Sequence, residues 1–391
     1  DWVFGDFLPH RQVPWCAPGE GAAAPAVSLS AALGLKSLLL MRGATKLQGE
    51  IDPGSQVAFG DLAARMLSDL RGAGAAVLSR LEAVTQTRAL DPALQGVSHL
   101  ASALADYQQQ WTKVMGVPLK VAEAVVNPPA MDDLLQLMNL RQTLVQRLDD
   151  AVGSLTDAPL AVLAPLGQES EEGDGAGGGC SLLSLLRQLS SVHGASLELS
   201  VTGHSKGGML APVLAMFLAD TQGSPDGSLP DEYSWNRAGN ALIDCYSFAG
   251  PTPGNGAFAA RFNARLGRRF FRYANTRDAT TLLWQCEQMR AMPSLLGEGA
   301  PGLPGMEIIA EQMANEVAHL EYVHPGRDYP APGGVRDVFH KHVVEFRGRD
   351  PSADSPYPLE IIYQHLGAYI DFLGLDRFFD LPGLMGIGSS R

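Results

Sequence analysis

Positive charge is scarce in this chain. Its 391 residues carry 29 Lys and Arg against 42 Asp and Glu, a formal net charge of −13. Nucleic acid is therefore not an expected partner, and simple docking to an anionic membrane would need a basic patch. No apolar run is long enough to span a bilayer. No signal peptide is visible, and an opening at Asp1 without Met reads as a processed or trimmed product. Localisation is left open on those grounds, with secretion lacking a visible signal as one expectation. Cysteine is also sparse: Cys16, Cys180, Cys245 and Cys286 show no Cys-x-x-Cys and no metal-ligand spacing, so neither metal nor cofactor is expected. Cys245 falls in an apolar strand pattern, where a buried free thiol is the natural reading. What is present is ordinary, with 46% hydrophobic and 18% charged residues and a mean hydropathy of zero. Such a length holds one large domain with an appended piece, or two domains.

The organising stretch is Leu197 to Leu218, LELSVTGHSKGGMLAPVLAMFL. Alternating Leu197, Leu199 and Val201 predict a strand. Gly203-His204-Ser205-Lys206-Gly207 then turns sharply into an apolar helix. Strand, G-x-S-x-G and helix together are the context of a nucleophile elbow, with Ser205 as nucleophile. Gly203 and Gly207 are expected to remove side chains that would collide at the turn, and Gly208 to let the helix pack close to the sheet. The backbone N–H of Lys206, at the helix start, is the natural oxyanion donor. The competing reading of this glycine-rich turn is a phosphate cradle or a tight corner.

Residues 1 to 60 scatter Trp2, Phe4, Phe7 and Trp15 among prolines, which suggests a segment wrapped over a surface. Ser37 to Met41 suit a short strand or a helix end. From Leu62 to Leu148 three helical stripes follow one another, punctuated at Asp91-Pro92 and Asn127-Pro128-Pro129. They predict an antiparallel helical subdomain, able to cap a site or to dock a protein partner. Pro159 to Gln168 reads as a buried parallel strand, followed by an acidic, glycine-rich loop at 169–179. Strand, helix, strand, elbow and helix are the rhythm of an α/β sheet. Later strands are expected at 241–248, 269–273 and 343–346.

An activated serine needs a base, and the base needs an acid to hold its tautomer. Asp278 lies just beyond the second strand after the elbow, where such an acid belongs; capping a short helix at Ala279-Thr280-Thr281 is its plainer role. Five histidines follow. His340 and His342 flank Lys341 and precede a strand, His324 precedes a Pro-Gly turn, and His365 enters the last helix. His365 is preferred as base over His324. His204 is expected to pack behind the elbow.

VTGHSKGGMLA, SFAGPTPGN, the strand ending in NTRD and the late H-x-x-x-Y at His365 together resemble the class 3 (fungal-type) lipases over about residues 165 to 375. The resemblance implies an α/β-hydrolase fold and a triad of Ser205, Asp278 and His365. It also implies hydrolysis of carboxylic esters of lipids, with a lipid ester or lipid interface as partner. The family's Arg-Gly-Thr or Arg-Gly-Ser oxyanion turn is absent between the helical region and the elbow. Gly167-Gln168 stands nearest in sheet order, which puts residues 169–180 in lid position. Arg42-Gly43-Ala44 competes, and would make the helical region a long insertion.

The division expected is an N-terminal segment and helical subdomain over 1–158 and a catalytic domain over 159–391. Three functions compete: a lipase or phospholipase, a delivered antibacterial or host-directed phospholipase effector, and an inactive lipase-like binding protein. The apolar segment from Thr280 to Met313 is read either as a lid over Ser205 or as ordinary core.

Overall fold

The computed structural model describes residues 9–16, 24–40, 42–43, 162–163, 180–193, 197–223, 233–297, 306–326, 343–351 and 357–376, with six helical positions between 136 and 146. The rest of the expected helical subdomain, the acidic loop and the turn at Gly167-Gln168 lie outside the described residues.

Its centre is a parallel four-stranded sheet in the order β5 (Glu198–His204), β6 (Leu242–Phe248), β7 (Phe270–Asn275) and β8 (Val343–Phe346). This is an α/β fold of the hydrolase type, with the elbow at the end of β5. Alternate residues explain the layering: Ile243, Cys245 and Ser247 are buried, while Leu242 on the opposite face is exposed. Helix α3 (Lys206–Thr221) packs on β5 and β6 and buries Met209, Val213, Met216 and Phe217. Pro212 inside it has no N–H to give the Gly208 carbonyl one turn earlier. The hydroxyl of Ser247 on β6 donates to that carbonyl instead, at 2.7 Å. The loss in the helix thus becomes a tie between helix and sheet. Cys245 is a fully buried free thiol, and burial raises its pKa.

At its described residues, 9–16, 24–40 and 42–43, the N-terminal segment is not a surface wrap. Strands β1 (Gln12–Pro14) and β2 (Ala26–Ser28) pair antiparallel and lead into helix α1 (Leu29–Leu40), so Leu38 to Leu40 end a helix. Val13, Trp15, Val27, Leu29 and Leu35 share one core with α3, β6 and helix α4 (Gly256–Leu266). The Trp15 indole N–H donates to Asp220 at 2.8 Å, which satisfies the one polar atom of a buried ring. Strand β3 (Arg42–Gly43) pairs antiparallel with β4 (Cys180–Ser181), directly ahead of helix α2 (Leu182–His193). At Val162 and Leu163 the expected parallel strand is instead a buried turn. Its N–H groups donate to the carbonyls of Pro14 and Trp15, which draws it to β1 rather than to the parallel sheet.

After β7 come a 3-10 turn (Ala279–Leu282), helix α5 (Cys286–Arg290) and helix α6 (Met306–Val317). Trp284, Met289, Ala314, Val317 and Tyr322 form a second core there. Trp284 and Met289 are buried in it, against residues of α6. The chain then passes through helix α7 (Tyr357–Ile362), a π-helical turn (Tyr363–Gly367) and helix α8 (Ala368–Phe372). Among the described residues no helix is long and apolar enough to cross a membrane.

Candidate active site

Ser205 sits between β5 and α3 with φ 60° and ψ −125°, a backbone region that residues with side chains rarely occupy. Two bonds hold it there: its N–H donates to the Phe248 carbonyl at 2.9 Å, and its carbonyl accepts from Met209 at 3.1 Å. Close approach explains the glycines only in part. A Cβ on Gly203 would lie 2.1 Å from the Gly207 carbonyl oxygen, and one on Gly208 would lie 2.3 Å from that of Phe248. A Cβ on Gly207 would meet nothing within 4 Å. The expectation that Gly207 clears space with its missing side chain is therefore corrected: its backbone is the obstacle, and Gly203 yields to it.

The three side chains singled out in the sequence meet. The hydroxyl of Ser205 lies 2.9 Å from Nε2 of His365, and Nδ1 of His365 lies 3.0 Å from both carboxylate oxygens of Asp278. A carboxylate only accepts, so Nδ1 carries the proton and Nε2 offers its lone pair to the serine hydroxyl. Asp278 keeps its plainer role as well: it caps the 3-10 turn, with Oδ1 accepting from the Thr280 N–H at 2.9 Å. The two readings of this residue are compatible because one carboxylate has enough lone pairs for both.

His365 rides on the π-helical turn, an irregularity that recurs at functional sites. The turn is anchored by a buried amide network. Asn275, at the end of β7, donates through Nδ2 to the Gln364 carbonyl at 2.8 Å and to its Oε1 at 2.9 Å. Gln364 in turn donates to Glu360 at 2.8 Å and to the Arg349 carbonyl at 3.0 Å. Tyr369, four residues after His365, donates its hydroxyl to Oδ2 of Asp278 at 3.0 Å. Burial and the Asp278 charge raise its pKa well above the usual phenol range, so it stays a donor. The i, i+4 spacing of His365 and Tyr369 was the signal available for this pairing; Asn275 opens the NTRD strand end, while nothing local marked Gln364.

His204 does not simply pack behind the elbow. Its Nε2 lies 2.7 Å from the backbone carbonyl of His365, and its ring centroid lies 4.8 Å from that of His365. Burial and then the neighbouring His365 push its pKa down to about 4. His324 is elsewhere. The residue is 2% exposed, and its Nε2 is engaged with the Thr281 carbonyl, the Thr252 hydroxyl and the Arg272 guanidinium at 2.9, 3.1 and 3.2 Å. Lys206 is the first residue of α3. Gly167, Gln168, His340 and His342 lie outside the described residues. Among the described residues no group of His, Cys, Asp and Glu could hold a metal ion.

No curated protein matches the chain. Among solved structures, the crystal structure of M37 lipase matches with 25% identity over 52% of this chain and 55% of that one, at a TM-score of 0.40. The chain thus spans about half the length of that lipase, and the fold assignment rests on the sheet and elbow themselves. The family model for lipase (class 3) matches residues 181–287, a stretch that holds Ser205 and Asp278 and ends before His365. From β4 to beyond Asp278 the chain is similar to the class 3 lipases.

Proposed function

We propose that the protein is a serine hydrolase that cleaves carboxylic ester bonds of lipids, as a lipase or phospholipase, through an acyl-enzyme on Ser205. The observation that carries this is the hydrogen-bonded series from the Ser205 hydroxyl through His365 to Asp278. In that arrangement the Ser205 oxygen attacks the ester carbonyl while Nε2 of His365 takes its proton. The carbonyl oxygen becomes an oxyanion, and the N–H of Lys206 at the start of α3 faces the developing charge along with the positive end of the helix dipole. The imidazolium is stabilised by Asp278 and returns its proton to the departing alcohol. Water then repeats the sequence on the acyl-enzyme and releases the acid.

A second oxyanion donor is proposed at one of the two turns read from the sequence, Gly167-Gln168 or Gly43-Ala44. The pairing of Arg42–Gly43 with Cys180–Ser181, just ahead of α2 and the elbow strand, supports the latter. One such donor is worth roughly 10²–10³ in turnover.

The test is twofold. A fluorophosphonate probe should label wild type and not Ser205→Ala, and wild type should hydrolyse a p-nitrophenyl ester. Triacylglycerol and phospholipid assayed in parallel then assign the bond that is cut. Absence of both labelling and turnover would defeat the proposal.

A further inference from the structure

Nucleophile and base come from elements far apart in the chain, β5 and the π-helical turn, and their spacing decides whether the proton can move. Asp278 holds the ring of His365, and the Asn275–Gln364 network anchors the turn to the end of β7. The bond from His204 ties the same turn to β5, the strand that bears the nucleophile. It joins the last residue of β5, adjacent to Ser205, to the carbonyl of His365 itself at 2.7 Å. We propose that His204 is a positioning residue, whose Nε2–H holds the turn bearing the base against the strand bearing the nucleophile. This deepens the hydrolase reading and rests on it.

The chemistry of the bond restricts the residue. A carbonyl only accepts, so His204 carries its proton on Nε2. The groups that face its ring are His365, Asp278 and Tyr369. A neutral ring supplies the donor without a charge beside an imidazole that must itself become positive. The depressed pKa of His204 agrees with that neutral form. Lysine or arginine at this place would donate but would bring the charge. The ring edge also meets Tyr369 at 5.5 Å between centroids, and Tyr369 holds Asp278. One side chain therefore touches the backbone of the base, its ring and the holder of the acid.

The alternative is that His204 only fills space. His204→Leu keeps bulk and removes the donor, while His204→Gln returns an N–H near the position of Nε2. The full chain carrying each change is assayed on a dissolved p-nitrophenyl ester. The Leu variant should lose about 10- to 100-fold in kcat with KM nearly unchanged, as expected when reacting groups drift by about 1 Å. The Gln variant should recover most of that loss. His204→Met serves as the donor-free variant should Leu fail to fold. The downfield proton resonance of His365 Nδ1–H gives a readout independent of turnover: it should persist in wild type and the Gln variant and weaken in the donor-free one. Unchanged kcat in the donor-free variant, or equal loss in Gln and Leu, would overturn the assignment. A wild type showing the resonance without turnover would defeat the hydrolase reading, leaving the resonance to decide the positioning role.

Discussion

Tyr369 and Asp278 are tied by one hydroxyl that works in both directions. It donates to Oδ2 of Asp278 at 3.0 Å and accepts from the Asn275 N–H at 2.9 Å. Both partners are buried. Tyr369→Phe should therefore leave a buried N–H and a buried carboxylate each one bond short. The expected cost is about 1–3 kcal/mol in unfolding free energy, with a lower kcat because Asp278 is less firmly held. Urea unfolding and ester kinetics on the same preparation check it. Unchanged stability would show that the hydroxyl is dispensable.

The backbone of Ser205 yields a second prediction. At φ 60° and ψ −125° any Cβ is strained, whereas glycine accepts the conformation. Ser205→Gly and Ser205→Ala should both abolish hydrolysis. Glycine should be the more stable of the two by about 1 kcal/mol, because the positive φ adds to the preference for glycine over alanine at an N-cap. Thermal unfolding of the two variants side by side decides it.

The elbow glycines should separate clearly. Gly203→Ala and Gly208→Ala drive a Cβ into backbone oxygens at 2.1 and 2.3 Å, so strand and helix must part. Little folded protein is expected from either. Gly207→Ala meets open space, and should fold with stability within about 0.5 kcal/mol of wild type or slightly above it, since alanine favours helix. Circular dichroism melts of purified variants are the measurement.

His204 should impose a pH dependence on stability. Its folded pKa of about 4 lies below its ordinary 6.5, so between these values the unfolded chain binds more protons. The contribution of a neutral, buried His204 is complete above about pH 6.5, falls as the pH drops, and levels off below about 4. Across that window the change is about 3 kcal/mol. The lowered pKa of Asp350, caused first by its bond from Arg277, acts in the separate carboxylate range below this window. Urea midpoints from pH 7 to 4 for wild type and His204→Gln should converge as the pH falls. Parallel curves would remove the prediction.

The sequence by itself determined what is local. A strand, a glycine-rich turn and an apolar helix lie within Leu197 to Leu218, and each depends on residues a few positions apart, so the elbow was legible. The place of Asp278 beyond a strand end was legible too, because that is a matter of position along the chain. His365 was preferred over His324 from its place in the chain, but what surrounds each needed three dimensions. Both are late histidines, and only the packing shows one beside Ser205 and the other closed in by Thr252, Thr281 and Arg272. Tertiary structure likewise drew Trp15 and Val13 into the core, since a Pro-rich stretch shows no period from which burial could be read. It placed Trp284 and Met289 in a core under α6, a burial hidden from the sequence because an apolar residue looks the same whichever surface covers it. The double use of Asp278, cap and partner of His365, was decided last. It depends on a tyrosine and a histidine some ninety positions away being brought to the same carboxylate.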